Sequence, residues 1–165
     1  MYNTNNIQSI LKWYDLNKRD LPWRNANDPY KTWLSEIMLQ QTQVQTVIPY
    51  FNKWIKQFPT LSSVANANLD QVLKSWEGLG YYRRCKNFHQ AAKIVIKDYN
   101  GMIPNDYETL KKLPGIGEYS ASAIMSIAFN EKYPAIDSNL VRVISRILGI
   151  KKLSIYNKKK IYQFA

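Results

Sequence analysis

The sequence predicts an all-α fold, and three observations predict it. Apolar residues recur at spacings of three and four, as in Ile7, Ile10, Leu11 and Tyr14, the signature of one buried helical face. No segment alternates apolar and polar residues with the period of a strand, and no internal repeat or low-complexity linker interrupts the chain. Apolar residues make up 45% of the 165, with 12 Tyr and 5 Trp. That is enough for a real core in one or two compact units, and it excludes a disordered chain.

The formal net charge is +11, which favours a polyanionic partner. Nucleic acid fits better than a membrane, because no apolar run approaches the roughly 20 residues of a spanning helix. The competing explanation is a chain that is basic by compositional bias alone. Cys85 is the single cysteine, so no internal disulfide and no cysteine-based metal site form within this chain. The first 15 residues lack a basic start followed by an apolar stretch, so no secretory signal is read and a reducing, cytoplasmic setting is expected.

In chain order, a first amphipathic helix is expected over 5–16. Lys18-Arg19-Asp20-Leu21-Pro22-Trp23-Arg24 breaks it with two arginines beside a tryptophan. This loop reads either as a solvated turn with Trp23 anchored in the core or as a pocket wall that grips a flat base. A long helix is expected over 32–56, interrupted near Pro49. Glu36 lies in its centre among Trp33, Leu34, Ile37, Met38 and Leu39, and it shares a face with Gln40. A carboxylate there is either exposed and salt-bridged, or partly desolvated with a raised pKa that keeps it protonated near neutrality.

A short helix over 70–76 runs into Gly78-Leu79-Gly80-Tyr81-Tyr82-Arg83-Arg84. Two aromatics and two arginines after glycines suit a wedge into a DNA stack with cations for phosphates. Equally, they suit a helix start with the Tyr rings packed inside. A helix over 86–99 buries Phe88, Ala91, Ala92 and Val95, and His89, the one histidine, is expected to cap or pack. Asn100-Gly101 closes it. Helices over 107–113 and 120–129 flank Leu113-Pro114-Gly115-Ile116-Gly117, a tight hairpin whose outward amides offer a seat for an anion. Asp137 precedes a helix over 140–148 and reads as its N-cap or as a functional carboxylate. A last helix runs from Lys158 and is expected to be cut off in progress, with no glycine or proline to stop it.

Five motifs, in order, carry a resemblance: LPWR (21–24), DPYKTWLSEIMLQQTQV (28–44), GLGYYRR (78–84), LPGIGEYSA (113–121) and IDSNLVRV (136–143). Together they resemble the adenine DNA glycosylases of the MutY type, within the helix-hairpin-helix superfamily. The resemblance implies the helix-hairpin-helix DNA glycosylase fold. Residues 1–20 would be an N-terminal helix packing on the second helical domain. Residues 21–130 would be a six-helix barrel module with its hairpin at about 107–129. Residues 131–165 would begin an incomplete second domain.

The resemblance also implies roles. Glu36 would protonate N7 of an adenine flipped out of duplex DNA, opposite 8-oxoguanine or less favourably guanine. Asp137 would stabilise the resulting oxocarbenium sugar, with Tyr119 and Asn139 supporting Glu36 and positioning water. Arg19, Trp23, Arg24 and Leu39 match the adenine pocket. Gln40 and Tyr81 match residues wedged into the stack, and Gln41, Tyr82 and Arg83 join them as DNA-binding positions. Gly115 and Gly117 would hold phosphate. Lyases of the endonuclease III type carry a lysine, which forms a Schiff base, where this chain has Tyr119. The expected enzyme is therefore monofunctional.

The resemblance departs at one point. Members continue into four cysteines that ligate a 4Fe-4S cluster, and Cys85 alone cannot supply those ligands. No metal or cofactor is expected to be ligated by this chain. The chain is read as a fragment of a longer protein or as a degenerate relative, acting as a cytoplasmic monomer on DNA. Two rivals remain: a non-catalytic DNA-binding fragment, and a mismatch glycosylase for another base, such as thymine opposite guanine.

Overall fold

The computed structural model describes residues 4–24 and 28–165. The first three residues of the expected 1–20 segment, and residues 25–27 of the expected 21–130 module, lie outside the described residues. Ten α-helices and no strand occur among the described residues. They are α1 (Thr4–Asn17), α2 (Pro29–Leu39), α3 (Val44–Gln57), α4 (Leu61–Asn66), α5 (Leu69–Trp76), α6 (Tyr82–Asp98), α7 (Tyr107–Lys112), α8 (Glu118–Phe129), α9 (Ser138–Ile147) and α10 (Ile155–Phe164).

One aromatic cluster joins α2, α3, α5 and α6. Trp33, Trp54, Trp76 and Phe88 are among the largest fully buried side chains. Trp33 meets Phe88 edge-on at 4.7 Å between ring centres, and Trp54 meets Trp76 likewise at 5.6 Å. Such contacts add about 1 kcal/mol each beyond the area they bury. Trp54 Nε1 donates to the Tyr30 hydroxyl at 2.9 Å, which donates to the Phe58 carbonyl at 2.6 Å, whereas Trp33 Nε1 is buried without a hydrogen-bond partner among the described residues. His89 packs as expected, with Nε2 3.0 Å from the Ala67 carbonyl oxygen.

Helix α2 is buried along most of its circumference. Asp28 caps it, accepting from the Tyr30 N–H, and Pro29 occupies its first position, which is preorganised for helix. It packs against α3, α6 and α8. Helix α8 is buried at Ser120, Ala121, Ser122 and Ala123, and such small side chains let helix axes approach closely.

Several element boundaries differ from expectation. The long 32–56 helix is two helices. Its break lies at residues 40–43, where Gln41 takes φ 57°, whereas Pro49 sits inside α3. A left-handed residue ends a helix more decisively than a proline near the start of one, whose missing N–H removes a single bond. Helix α4 was not anticipated; Thr60 and Ser63 cap it reciprocally. Helix α6 begins at Tyr82, four residues before the expected start, behind a left-handed Tyr81 with φ 50°. Helix α10 begins at Ile155 behind a Ser154 cap. Every described residue of α1 from Asn6 onward is exposed, and its apolar stripe includes Ile10 and Leu11.

The hairpin forms as the glycines predict. Leu113 and Ile116 turn inward, and the Ile116 N–H bonds the Leu113 carbonyl at 3.1 Å. Gly115 has φ +80°, and a Cβ built there would lie 2.9 Å from the Cβ of Asn87. Both the conformation and the space demand glycine. Gly117 adopts ordinary extended backbone and has open space where a side chain would stand. Gly115→Ala is therefore expected to destabilise the chain by about 2–3 kcal/mol, and Gly117→Ala to stay within about 0.5 kcal/mol. Urea unfolding of the two variants measures the contrast, and equal effects would contradict it.

Candidate active site

Glu36 is one of the few partly exposed residues of α2. Its neighbours Ser35, Ile37 and Met38 are buried. No hydrogen bond or ion pair to its carboxylate occurs among the described residues. Burial pushes its pKa up to about 7, because the charged form loses water without gaining a partner. The carboxyl opens into a cavity of about 630 Å³ that Arg19, Trp23, Arg24 and Leu39 also line. Trp23 serves in both ways considered for it: it is buried against Phe51, ring centres 5.2 Å apart, and it still forms cavity wall. Arg24 is held by donating from Nη1 to the Arg19 carbonyl at 3.1 Å and by lying over the Tyr14 ring at 5.7 Å.

Asp137 stands in the opposite environment. It caps α9 through Oδ1, which accepts from the Leu140 N–H at 2.8 Å, while Oδ2 accepts from the Asn139 side-chain amide at 2.9 Å. Partial desolvation works to raise its pKa, but these hydrogen bonds outweigh it and hold the carboxyl below the usual Asp range. Asn139 is fixed in turn by Arg142, whose Nη2 donates to Asn139 Oδ1 at 3.0 Å. Tyr119 lies within electrostatic reach of both carboxylates. Its phenol is pushed up by burial first and then by Glu36 and Asp137. The two acids thus share a neighbour while their pKa values are driven apart.

The wedge candidates flank this centre on two loops. Gln40 donates from Nε2 to Ser120 Oγ at 3.2 Å, and Gln41 is exposed in its left-handed turn. Tyr81 is exposed and left-handed, and Tyr82 is exposed, its hydroxyl accepting from the Gly78 N–H at 3.3 Å. Arg83 is exposed, and so are Gly115 and Gly117 at the hairpin. Arg84, read from sequence as a cation for phosphate, turns inward and bonds backbone carbonyls of α2. Tyr14 and Lys18, at the end of α1, also line the cavity and were not anticipated. Their four-residue spacing ahead of Arg19 carries a signal of a shared face, but an apolar period absorbs Tyr14 into the helix's own stripe.

Residues 34–164 match the family described as HhH-GPD superfamily base excision DNA repair protein. This chain belongs to the HhH-GPD superfamily. Among similar members, the adenine DNA glycosylase of Buchnera aphidicola subsp. Baizongia pistaciae is 46% identical over 157 residues, covering 94% of this chain and 45% of that protein. The human adenine DNA glycosylase is 46% identical over 151 residues, covering 86% of this chain and 28% of that protein. The chain thus spans less than half the length of these relatives. Among solved structures, a thermostable thymine-DNA glycosylase superposes with a TM-score of 0.87 at 30% identity, covering 96% of this chain and 74% of the other. A trapped endonuclease III–DNA covalent intermediate matches at a TM-score of 0.75 and 22% identity, covering 98% and 77%, and that likeness shows the shared HhH-GPD fold.

The 4Fe-4S cluster implied by the sequence resemblance does not fit the residues present. Cys85 is the sole cysteine, fully buried in α6, and burial pushes its thiol up to about 12. Among the described residues no group of three His, Cys, Asp or Glu is arranged to hold a metal ion.

The raised Glu36 pKa has a stability consequence. The folded value, about 7, exceeds the ordinary 4.5, so the folded chain binds this proton more tightly than the unfolded chain between those limits. The contribution is full below pH 4.5 and is lost as pH rises through 7, amounting to about 3 kcal/mol. Urea unfolding between pH 5 and 8 is expected to show a stability decline that Glu36→Gln removes. An identical slope in the variant would contradict the assignment.

Proposed function

We propose that the chain carries the catalytic centre of an adenine-specific mismatch DNA glycosylase. It hydrolyses the N-glycosidic bond of adenine opposite 8-oxoguanine, or less favourably guanine, in duplex DNA. The observation that carries this reading is Glu36, a carboxyl with pKa near 7 facing a cavity lined by an indole and two guanidinium groups. A base must leave the stack to reach such a cavity. The net charge of +11 supports the attraction to DNA, and the adenine glycosylase relatives in bacteria and animals support the base.

In this reading the protonated Glu36 donates to N7 of the flipped adenine. The C1′–N9 bond then breaks with its electron pair passing to the base. Asp137 is ionised at neutral pH because its own hydrogen bonds favour the carboxylate, so it stabilises the positive charge developing on the sugar. Water adds to C1′ and leaves an abasic site. Two carboxyls divided by environment into acid and charge stabiliser follow the logic of glycoside hydrolysis. Asn139 positions Asp137, and Tyr119 lies between the acids. Tyr119 has no amine for a Schiff base, so the strand stays intact.

Arg19, Trp23, Arg24 and Leu39 form the base pocket in this account. Gln40, Gln41, Tyr81, Tyr82 and Arg83 contact the DNA, and Gly115 and Gly117 present backbone amides to phosphate. Residues 131–165 would begin the second helical domain, with the 1–20 helix packing on it. No described helix is long and apolar enough to cross a membrane, and the reading implies a cytoplasmic monomer on chromosomal DNA.

Single-turnover adenine release from an 8-oxoguanine:adenine duplex tests it. Glu36→Gln is expected to lose roughly 10²–10⁴-fold in rate while retaining DNA affinity, and Asp137→Asn roughly 10²–10³-fold. Wild-type rates in Glu36→Gln would overturn the acid assignment. Faster release of thymine opposite guanine would assign a different base.

A further inference from the structure

Arg84 is the most heavily partnered side chain outside the catalytic centre. Its Nη1 donates to the carbonyls of Ile37 at 2.9 Å and Met38 at 2.8 Å, and also to that of Gln40. Its Nη2 donates to Thr42 Oγ1 at 3.1 Å and to the Gly80 carbonyl at 3.3 Å. The guanidinium stacks over the Trp76 ring at 5.4 Å and the Tyr81 ring at 5.1 Å. Its Nε is buried without a partner. A guanidinium, more weakly hydrated than an ammonium, sits there because the last carbonyls of α2 have no intrahelical donors, and because the negative end of the α2 dipole faces it.

The two loops that meet at Arg84 are those bearing the wedge candidates. One runs from Gln40 to Thr42 and contains left-handed Gln41; the other runs from Gly80 to left-handed Tyr81. Neither glutamine nor tyrosine favours that conformation, and such residues persist where surrounding contacts over-determine them. Nη1 holds the end of α2 and Gln40, Nη2 bonds Thr42 of the first loop and the Gly80 carbonyl of the second, and the flat face supports the Tyr81 ring. A lysine, with three donors on one nitrogen and no planar face, cannot supply the five hydrogen bonds made here and the support under the Tyr81 ring together.

We infer that Arg84 is a positioning residue: it clamps the 40–42 and 80–81 loops into one rigid wedge that enters the DNA stack as a unit, and does not itself contact phosphate. The inference rests on the glycosylase reading for its biological sense but concerns base extrusion, a step before bond cleavage. The clamp also ties that wedge to the C-terminal end of α2, one turn from Glu36, so extrusion and acid placement share a support.

The test uses the full chain and a duplex with 2-aminopurine opposite 8-oxoguanine, whose fluorescence rises on unstacking without cleavage. Arg84→Lys is expected to lower extrusion about tenfold while the slope of log affinity against log salt is unchanged. In a Gln40→Ala, Tyr81→Ala background, Arg84→Lys is expected to cost almost nothing further. Thr42→Val removes the Arg84 Nη2 contact at 3.1 Å together with the hydroxyl's own bond to the Gln40 carbonyl at 3.3 Å, and should lower extrusion two- to fivefold with an unchanged melting temperature; it decides the matter if Arg84→Lys fails to fold. Wild-type extrusion in both variants would overturn the inference. So would a salt slope reduced by about one, the mark of a lost phosphate contact, or an undiminished effect in the wedge-less background. A wild-type chain that extrudes 2-aminopurine but never releases adenine would instead overturn the glycosylase reading alone.

Discussion

The desolvation of Glu36 is the constraint on which the rest of the structure depends. A carboxyl reaches a pKa near 7 here without any like charge beside it, so the cost of burying it must be met by the packing of the helix that carries it. That packing comes from Trp33, Leu34, Ile37 and Met38 on α2, locked against the aromatic cluster and against the small residues of α8. Burial of side chains this size contributes about 2 kcal/mol each, enough to hold one partly dehydrated acid in place. The aromatic core of α2 to α6 is therefore also the device that sets the acid's chemistry.

The second acid shows the opposite use of the same elements. Asp137 sits at a helix N-terminus, where orphan N–H groups favour the anion, and Asn139 two residues on adds a further donor. Capping and charge stabilisation need the same thing, an ionised carboxylate, so the structural and the chemical reading of Asp137 do not compete. Tyr119, at the start of α8, stands between the two environments. The hairpin that precedes it is fixed by Gly115 against Asn87, which ties the position of Tyr119 to α6.

Much of this was legible in the sequence where local chemistry decides. The glycines of Leu113–Gly117 announce the hairpin, and at Gly115 the structure shows why, since φ +80° beside Asn87 leaves no room for a side chain. The apolar neighbours of Glu36 leave two readings open, an exposed salt-bridged carboxylate or a desolvated one, and the fold decides for burial. What was not legible depends on contacts far apart in the chain. The break of the 32–56 helix at Gln41 and the early start of α6 behind Tyr81 both arise where Arg84 reaches across more than 40 residues to the α2 carbonyls. Local pattern gives no sign that this arginine faces inward while Arg83 faces out. Helix α4 escaped notice because six residues are too few for a period, and its capping pair is Thr and Ser rather than a Thr and Glu. The two cavity-lining residues of α1 escaped because a helical stripe explains Tyr14 equally well.

The most direct measurement of the central claim is a ¹³C NMR titration of the glutamate side-chain carboxyls, with Glu36→Gln identifying the Glu36 resonance. The account predicts a Glu36 midpoint near 7 in the folded chain, set apart from the other glutamates. A midpoint at the ordinary 4.5 would mean that the carboxyl is hydrated, and the buried-acid account of this site would fail.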